Sequence, residues 1–184
     1  MQQIHGMISA AEDTLREVQA DPEKAGCRPL TGDELRRAKR AYVTGRFDLG
    51  GAACLFTGAA TPKAGDLLLA RVDRLGHHRK LESPEGRRQT LFVNDLILVC
   101  YGARYASDQF EAVVPDSLKS CHLVAAGGIA AICTGKHSAA RKPTEIEPLG
   151  LVADAEGRVL NLTQVAEPRS KGGAPPGSPA CGGG

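Results

Sequence analysis

The sequence predicts an α+β domain that is rich in β-structure, with a small antiparallel barrel or strongly bent sheet over residues 41–114. Two observations support this prediction. The 184-residue chain is 42% hydrophobic and 24% charged, a composition typical of a globular protein with a buried core. From residue 41 onwards, its apolar runs are too short for helices and alternate with turn residues. We therefore expect strands to form most of the core.

The expected strands follow one another at short intervals. Glycine, proline, asparagine and aspartate separate them, and this spacing favours an antiparallel meander over β-α-β units. The runs occupy residues 42–47, 52–56, 67–75, 90–93, 96–101 and 110–114. Because only 4% of the residues are aromatic, we expect the core to be built mainly from leucine, valine, isoleucine and alanine.

The chain divides into three parts by composition. Residues 1–40 are predicted to form a helical segment that packs on the domain, and residues 41–165 to form the β-rich globular domain. Residues 166–184 consist largely of glycine, proline and serine. Such a segment has too little apolar surface to offset the entropy of ordering, so we expect a disordered tail.

Two short helices are expected in the N-terminal segment. Ser9 and Glu12 have the spacing of a capping box and precede apolar residues at helical intervals. Thr31 and Glu34 form a second box, which begins a short helix with a basic outer surface. Its outward positions are Arg36, Arg37, Lys39 and Arg40.

Further along the chain we expect one more helix and a hairpin. Residues 117–133 carry apolar residues at steps of three or four, after a capping position that follows Pro115. Residues 149–153 and 158–162 flank a short turn that ends at Gly157, which predicts a C-terminal hairpin.

The charge, the cysteines and the N-terminal composition indicate a cytoplasmic protein. A net charge of +2 is too small to imply nucleic-acid binding without local clustering. The beginning of the chain lacks the basic and apolar regions of a secretory signal, and no run is long enough to span a membrane. Six cysteines are spread widely, which is typical of buried thiols in a reducing compartment. They are Cys27, Cys54, Cys100, Cys121, Cys133 and Cys181.

Cations cluster between residues 66 and 99 and predict a basic β-ribbon that binds an anion. The cluster contains Arg71, Arg74, His77, His78, Arg79, Lys80, Arg87 and Arg88. Beside exposed rings, for which Phe92, Tyr101 and Tyr105 are candidates, such cations can hold a single-stranded polyanion by phosphate pairing and base stacking. The alternative is that these residues simply occupy the polar positions of half-exposed strands.

The loop between residues 101 and 111 supports a different function. Arg104 is a candidate anion-binding residue that could anchor a carboxylate or phosphate substrate. Tyr105, Asp108, Glu111 and, further on, His122 are candidate catalytic residues for proton transfer. Equally, Arg104 could pair with Asp108 or Glu111 only to hold the loop.

No metal site is predicted, and the sequence does not identify a cofactor. Cys121, His122, Cys133 and His137 have the residue types of metal ligands. In an unbroken helix, however, His122 and Cys133 are eleven positions apart and would be separated by about 16 Å, too far for one metal. We therefore expect buried thiols and surface imidazoles. The segment that ends at Lys136 lacks two fixed positions of a phosphate-binding P-loop.

These observations favour a non-catalytic binding or accessory module. Its basic ribbon and its aromatic and arginine-bearing loop would bind an anionic partner, either single-stranded nucleic acid or an acidic protein surface. The alternative is a small cytosolic enzyme, or an enzyme subunit, that acts on an anionic small molecule by general acid/base chemistry in the 101–122 region. An accessory protein that docks through apolar patches is also consistent with the sequence.

Overall fold

A computed structural model describes residues 26–106, 109–138 and 140–165. These residues form twelve strands and two short helices, which confirms the prediction of a β-rich α+β protein. The strands are β1 (Cys27–Pro29), β2 (Lys39–Arg40), β3 (Cys54–Phe56), β4 (Leu67–Arg74), β5 (Lys80–Glu82), β6 (Arg88–Thr90), β7 (Leu96–Tyr101), β8 (Arg104–Tyr105), β9 (Phe110–Val113), β10 (Cys121–Ala125), β11 (Ile129–Lys136) and β12 (Thr144–Ala153). The helices are α1 (Gly32–Arg37) and α2 (Leu162–Val165), and 3-10 turns occur at Tyr42–Thr44 and Leu49–Gly51.

Ten of these strands join in one mixed sheet, part of which closes into a ring. Around the ring, β4 pairs with β7, β7 with β11, β11 with β10, β10 with β12, and β12 with β4. The β7–β11 pair is parallel, and so is the pair of β2 with β7. The expectation of a wholly antiparallel sheet within residues 41–114 was therefore wrong, because pairing between strands distant in the chain brings in segments on both sides of that range.

The predicted helix over residues 117–133 is also wrong, since this segment forms the β10–β11 hairpin. Both strands are buried on two faces: Leu123 and Ala130 point into one core cluster, whereas Val124 and Ala131 point into another. Two-sided burial produces nearly continuous apolar runs, whose periodicity does not distinguish a strand from a buried helix. Gly128 lies in the turn between the two strands, and its φ of +101° is incompatible with a right-handed α-helix.

The core has three parts that follow from the ring. Alternate residues of the five ring strands fill its interior, including Leu68, Val99, Leu123 and Ile146. On the outside, the opposite faces of β4, β7 and β12 pack beneath β3 and the N-terminal segment. A smaller cluster centred on Phe110 covers the outer face of β10 and β11. Strands β4 and β7 are therefore buried on both faces.

The N-terminal region agrees only in part with the prediction. The capping box of α1 forms, because Thr31 Oγ1 accepts from the Glu34 N–H and the Glu34 carboxylate accepts from the Thr31 N–H. The Arg28 guanidinium lowers the pKa of Glu34 to about 2. Strands β1 and β2 flank the helix, so residues 27–40 are not helical throughout. The helix expected after Ser9 and the tail of residues 166–184 lie outside the described residues.

The predicted C-terminal turn forms after β12. The Asp154 N–H donates to the Arg158 carbonyl at 3.0 Å, and Ala153 bridges to Val159. Gly157 has a φ of +83°, the left-handed conformation expected of glycine in such a turn. The chain then returns beneath the sheet, where the Leu160 N–H donates to the Val152 carbonyl.

A glycine substitution tests the packing at the β10–β11 turn. A Cβ atom added to Gly128 would lie 2.1 Å from the Cβ of buried Ala41, in a residue with φ +101°. Gly86 also has a positive φ of +76° but has no atom within 4 Å of such a Cβ, so it serves as a matched control. We expect G86A to lower the free energy of unfolding by about 1–2 kcal/mol.

For G128A we expect a further loss of about 1–3 kcal/mol from overpacking. Urea denaturation of the two variants and the parent chain measures both values. Equal losses in the two variants would show that the turn accommodates the extra methyl group without displacing Ala41.

Candidate functional site

Strands β5 and β6 form a two-stranded antiparallel ribbon that is separate from the large sheet. Opposite residues are Lys80 and Thr90, Leu81 and Gln89, and Glu82 and Arg88. Since side chains alternate between faces, Lys80 and Arg88 share one face, and Leu81 and Gln89 share the other. Leu81 is fully buried in the core. The ribbon is thus anchored by one face, and its other face presents Lys80 and Arg88 together with Glu82.

A basic cleft of 440 Å³ lies against the cationic face, and we call it the histidine cleft. It is lined by His77, His78, Arg79, Lys80, Arg88 and Ala126. Within the described residues, Arg79, Lys80 and Arg88 take part in no ion pair. Three positive charges therefore line this cleft, and Glu82, which is opposite Arg88 on the same face of the ribbon, forms no ion pair with them.

His78 is the most perturbed group in the histidine cleft. Burial, reinforced by the neighbouring His77 and by Arg104, lowers its pKa to about 4. Its Nε2 atom is buried and has no hydrogen-bond partner among the described residues. The ring packs edge-on against His77 at 5.0 Å and against Phe110 at 5.9 Å. At neutral pH, His78 is therefore an uncharged imidazole that shapes the cleft.

A second basic cleft, of 340 Å³, lies beside the ribbon and the segment that follows α1; we call it the arginine cleft. It is lined by Arg36, Arg37, Ala38, Lys39, Arg40, Pro84, Glu85 and Gln89. Its cations have partners in the protein: Asp33 pairs with Arg36 and Arg37, and Asp95 pairs with Lys39. The net positive potential of this cleft is therefore weaker than that of the histidine cleft.

An exposed aromatic ring stands beside the arginine cleft. Phe92 is 61% exposed, and the Lys39 ammonium lies 5.1 Å from the centre of its ring. Tyr105 is also exposed, at 81%, but lies on β8. Tyr101, the third aromatic residue predicted to stack on a base, is 1% exposed, because its side chain is buried in the core inside the ring of strands. Tyr101 is therefore ruled out as a stacking surface.

The other predicted anion-binding residues do not line the histidine cleft. Arg71 and Arg74 lie on β4, where they pair with Glu147 and Glu145 of β12. Arg87 is exposed at the tip of the ribbon, where its backbone N–H donates to Ser83 Oγ. Of the seven predicted residues, the structure brings His77, Arg79 and Arg88 together.

Neither basic cleft is lined by Arg104, Tyr105, Glu111 or His122. The Arg104 guanidinium donates to Gln109 Oε1 at 3.1 Å, which bridges the β8–β9 loop. Tyr105 and Glu111 are opposite each other in the register of β8 and β9, and both are exposed. Asp108 lies outside the described residues. Within the described residues, the loop contact of Arg104 is thus made with Gln109, a partner that the sequence analysis did not name.

His122 belongs to a different surface from the basic clefts. It is half-buried on β10, and its Nδ1 accepts from the Cys133 N–H at 3.2 Å. Burial lowers the pKa of His122 and raises the pKa of its neighbour Cys121 to about 12. Across the described residues, no three histidine, cysteine, aspartate or glutamate side chains are grouped to hold a metal ion.

A third cleft, of 580 Å³, lies near the end of the described chain. Its buried carboxylate, Asp66, accepts hydrogen bonds from the Lys63 N–H at 2.7 Å and from Asn161 Nδ2 at 2.8 Å. Asp66 therefore ties the segment before α2 to the beginning of β4. This structural role accounts for the buried carboxylate of the cleft.

Comparison of the chain with protein-family models, with curated proteins and with solved structures finds no match. Within the described part of the chain, no helix has the length and apolar character needed to cross a membrane.

Sequence reasoning indicated the cluster of cations near the ribbon but not that a second basic segment, residues 36–40, lies beside it. The composition of residues 36–40 shows that this segment is basic. Nothing in the sequence indicates that the segment contacts the ribbon, because Lys39 and Thr90 are about fifty positions apart in the chain. The hydrogen bond from Lys39 Nζ to the Thr90 carbonyl, at 2.8 Å, makes that connection. The parallel pairing of β2 with β7 positions it. Such long-range parallel pairing leaves no local signal.

The burial of His78 predicts a dependence of stability on pH. The folded pKa of about 4 lies below the ordinary value of 6.5, so between these values the unfolded chain binds a proton that the folded chain does not. The free energy of unfolding is therefore expected to fall as the pH decreases from 6.5 to about 4. Above 6.5, His78 contributes no further pH dependence.

NMR titration of the His78 ring measures its pKa directly, and urea denaturation of H78Q and the parent chain across this pH range measures the consequence. In H78Q the decrease in stability over the range should be smaller. If the two proteins lose stability in parallel, the imidazole is not buried in its neutral form.

Proposed function

We propose that this protein is a non-catalytic module that binds the phosphate groups of single-stranded nucleic acid at the β5–β6 ribbon. The observation that supports the proposal is the convergence of Arg79, Lys80 and Arg88 on the histidine cleft, without ion-pair partners among the described residues. Arginine and lysine that lack protein partners are available for phosphate oxygens. A net charge of +2 for the whole chain makes this local cluster, and not the overall field, the source of attraction.

The arrangement favours a nucleic acid over an acidic protein surface. Phe92 presents an exposed ring near the arginine cleft, with the Lys39 ammonium beside it. Stacking of an unpaired base on such a ring is worth about 1–3 kcal/mol and requires no particular base. An acidic protein would use the same cations but gain little from the ring. A single strand that crosses the ribbon would use both clefts.

Charge removal at the histidine cleft tests the phosphate contacts. We expect the parent protein to bind a fluorescein-labelled oligothymidylate of about 20 nucleotides. The logarithm of its association constant, plotted against the logarithm of the salt concentration, should have a slope of about −2, as three phosphate contacts on a single strand require. The double variant R79Q/R88Q should retain one contact, with a slope of about −0.7. Fluorescence anisotropy between about 50 and 200 mM salt measures both slopes.

The matched control is R71Q/R74Q, which removes the same charge from arginines that pair with Glu147 and Glu145. Its slope should stay near that of the parent chain. An equal loss in both double variants would assign the binding to overall charge and overturn the site. If the parent protein binds polyglutamate but not the oligonucleotide, the partner is an acidic protein surface and the nucleic-acid assignment is wrong.

Substitution of Phe92 tests base stacking. We expect F92A to weaken oligothymidylate binding by about 5- to 150-fold, the range that corresponds to about 1–3 kcal/mol for one stacked base. Y105A removes another exposed ring, one on β8 and outside both basic clefts, and should leave the affinity unchanged. Anisotropy titrations of both variants provide the comparison.

An abasic oligonucleotide of the same length separates stacking from charge. Because it has phosphates but no bases, the parent chain and F92A should bind it equally. A loss of affinity in F92A that persists on the abasic strand would show that the ring supports the cleft structurally and does not stack on a base.

A further inference from the structure

We propose that Cys27 and Cys54 form a modification site at which the two thiols are oxidised reversibly to a disulfide. The two residues lie on adjacent antiparallel strands, β1 and β3, where Pro29 is opposite Cys54 and Cys27 is opposite Phe56. The Cys54 thiol is directed at the Cys27 sulfur, and the two Sγ atoms are 2.7 Å apart. The two side chains therefore already point at each other, and the sulfurs must approach by about 0.7 Å more to reach the length of a disulfide bond.

The position of the pair makes it accessible to a small oxidant. Strand β1 is the terminal strand of the large sheet, and both cysteines are half-buried. Cys100 and Cys121, in contrast, are buried within the core. Cys133 is half-buried but lies on β11, on a different part of the sheet. Within the described residues, Cys27 and Cys54 are thus the pair that combines contact with access.

The reaction with glutathione disulfide is balanced in two exchange steps. The thiolate of one cysteine attacks a sulfur of glutathione disulfide, which forms a mixed disulfide and releases one glutathione thiolate. The second cysteine, as its thiolate, attacks the protein sulfur of that mixed disulfide and releases the second glutathione. The two protons from the cysteine thiols pass to the two glutathione thiolates. The protein loses two electrons, and one glutathione disulfide is reduced to two molecules of glutathione.

Oxidation would close a covalent loop from residue 27 to residue 54. This loop contains α1 and β2, including Arg36 and Lys39 of the arginine cleft. A disulfide stabilises the folded protein chiefly by restricting the unfolded chain, and the effect grows with loop length. In the reduced protein, β1 is held to β3 by only three opposed residue pairs. The oxidised protein should therefore keep this edge of the sheet attached at higher temperature.

The test uses the full chain, first reduced and then incubated with glutathione disulfide, with the remaining thiols trapped by iodoacetamide. We expect an intact mass that shows two fewer alkylated cysteines and a loss of two hydrogen atoms. Peptide mapping should identify a Cys27–Cys54 linked peptide. The melting temperature should rise by about 5–10 °C and return to its starting value after reduction with dithiothreitol.

Two kinds of variant complete the experiment. C27S and C54S should each lose the linked peptide and the increase in melting temperature, whereas C133S should retain both. A stable glutathione adduct on Cys27 or Cys54, or linkage of either residue to another cysteine, would overturn the proposal. A linked peptide without any increase in melting temperature would also contradict it, because the bond would then not join the folded strands as the structure positions them.

Discussion

The hydrogen bonding of β12 to three other strands is the interaction on which the rest of this structure depends. It pairs with β10 and β4, which closes the five-stranded ring, and with β3, which extends the sheet beyond the ring. Its register shifts between Glu145 and Ile146 and again between Pro148 and Gly150. Such bulges bend a strand and increase its twist. The bent strand can therefore close the ring at its beginning and pair with β3, outside the ring, at its end. At that end, Leu151 packs in the ring interior and Val152 in the outer core cluster.

The same strand positions the basic cleft. Thr144, at the beginning of β12, accepts from the Gly76 N–H and donates to the His78 carbonyl. These bonds hold the chain between β4 and β5 against the end of the ring, where His78 is desolvated. A buried imidazole stays neutral because the protein cannot solvate its charge, whereas the neighbouring exposed cations remain charged. The end of the ring thus buries a neutral histidine beside cations that stay exposed to solvent.

The clustering of cations could be predicted from the sequence where the residues concerned are neighbours in the chain. His77 and Arg79 are close in sequence, and Arg88 lies on the paired strand of the same ribbon, so their clustering could be expected from local pattern. The neutralisation of Arg71 by Glu147 could not be expected, because it requires β4 and β12 to pair across more than seventy positions. The same limit hid the contact of Lys39 with the ribbon and the contact between Cys27 and Cys54.

The sequence by itself determined the local features of this protein: its β-rich character, the capping box of α1, the turn before Gly157 and the clustering of cations near the ribbon. Each of these depends on a few adjacent residues, so short-range sterics and hydrogen bonding decide it. Tertiary structure alone decided that residues 121–136 form strands and not a helix, that the ring closes through a parallel pair, and which cations remain unpaired. Two-sided burial removes the periodicity that separates strand from helix, and charge pairing between distant strands depends on a register that no local pattern contains.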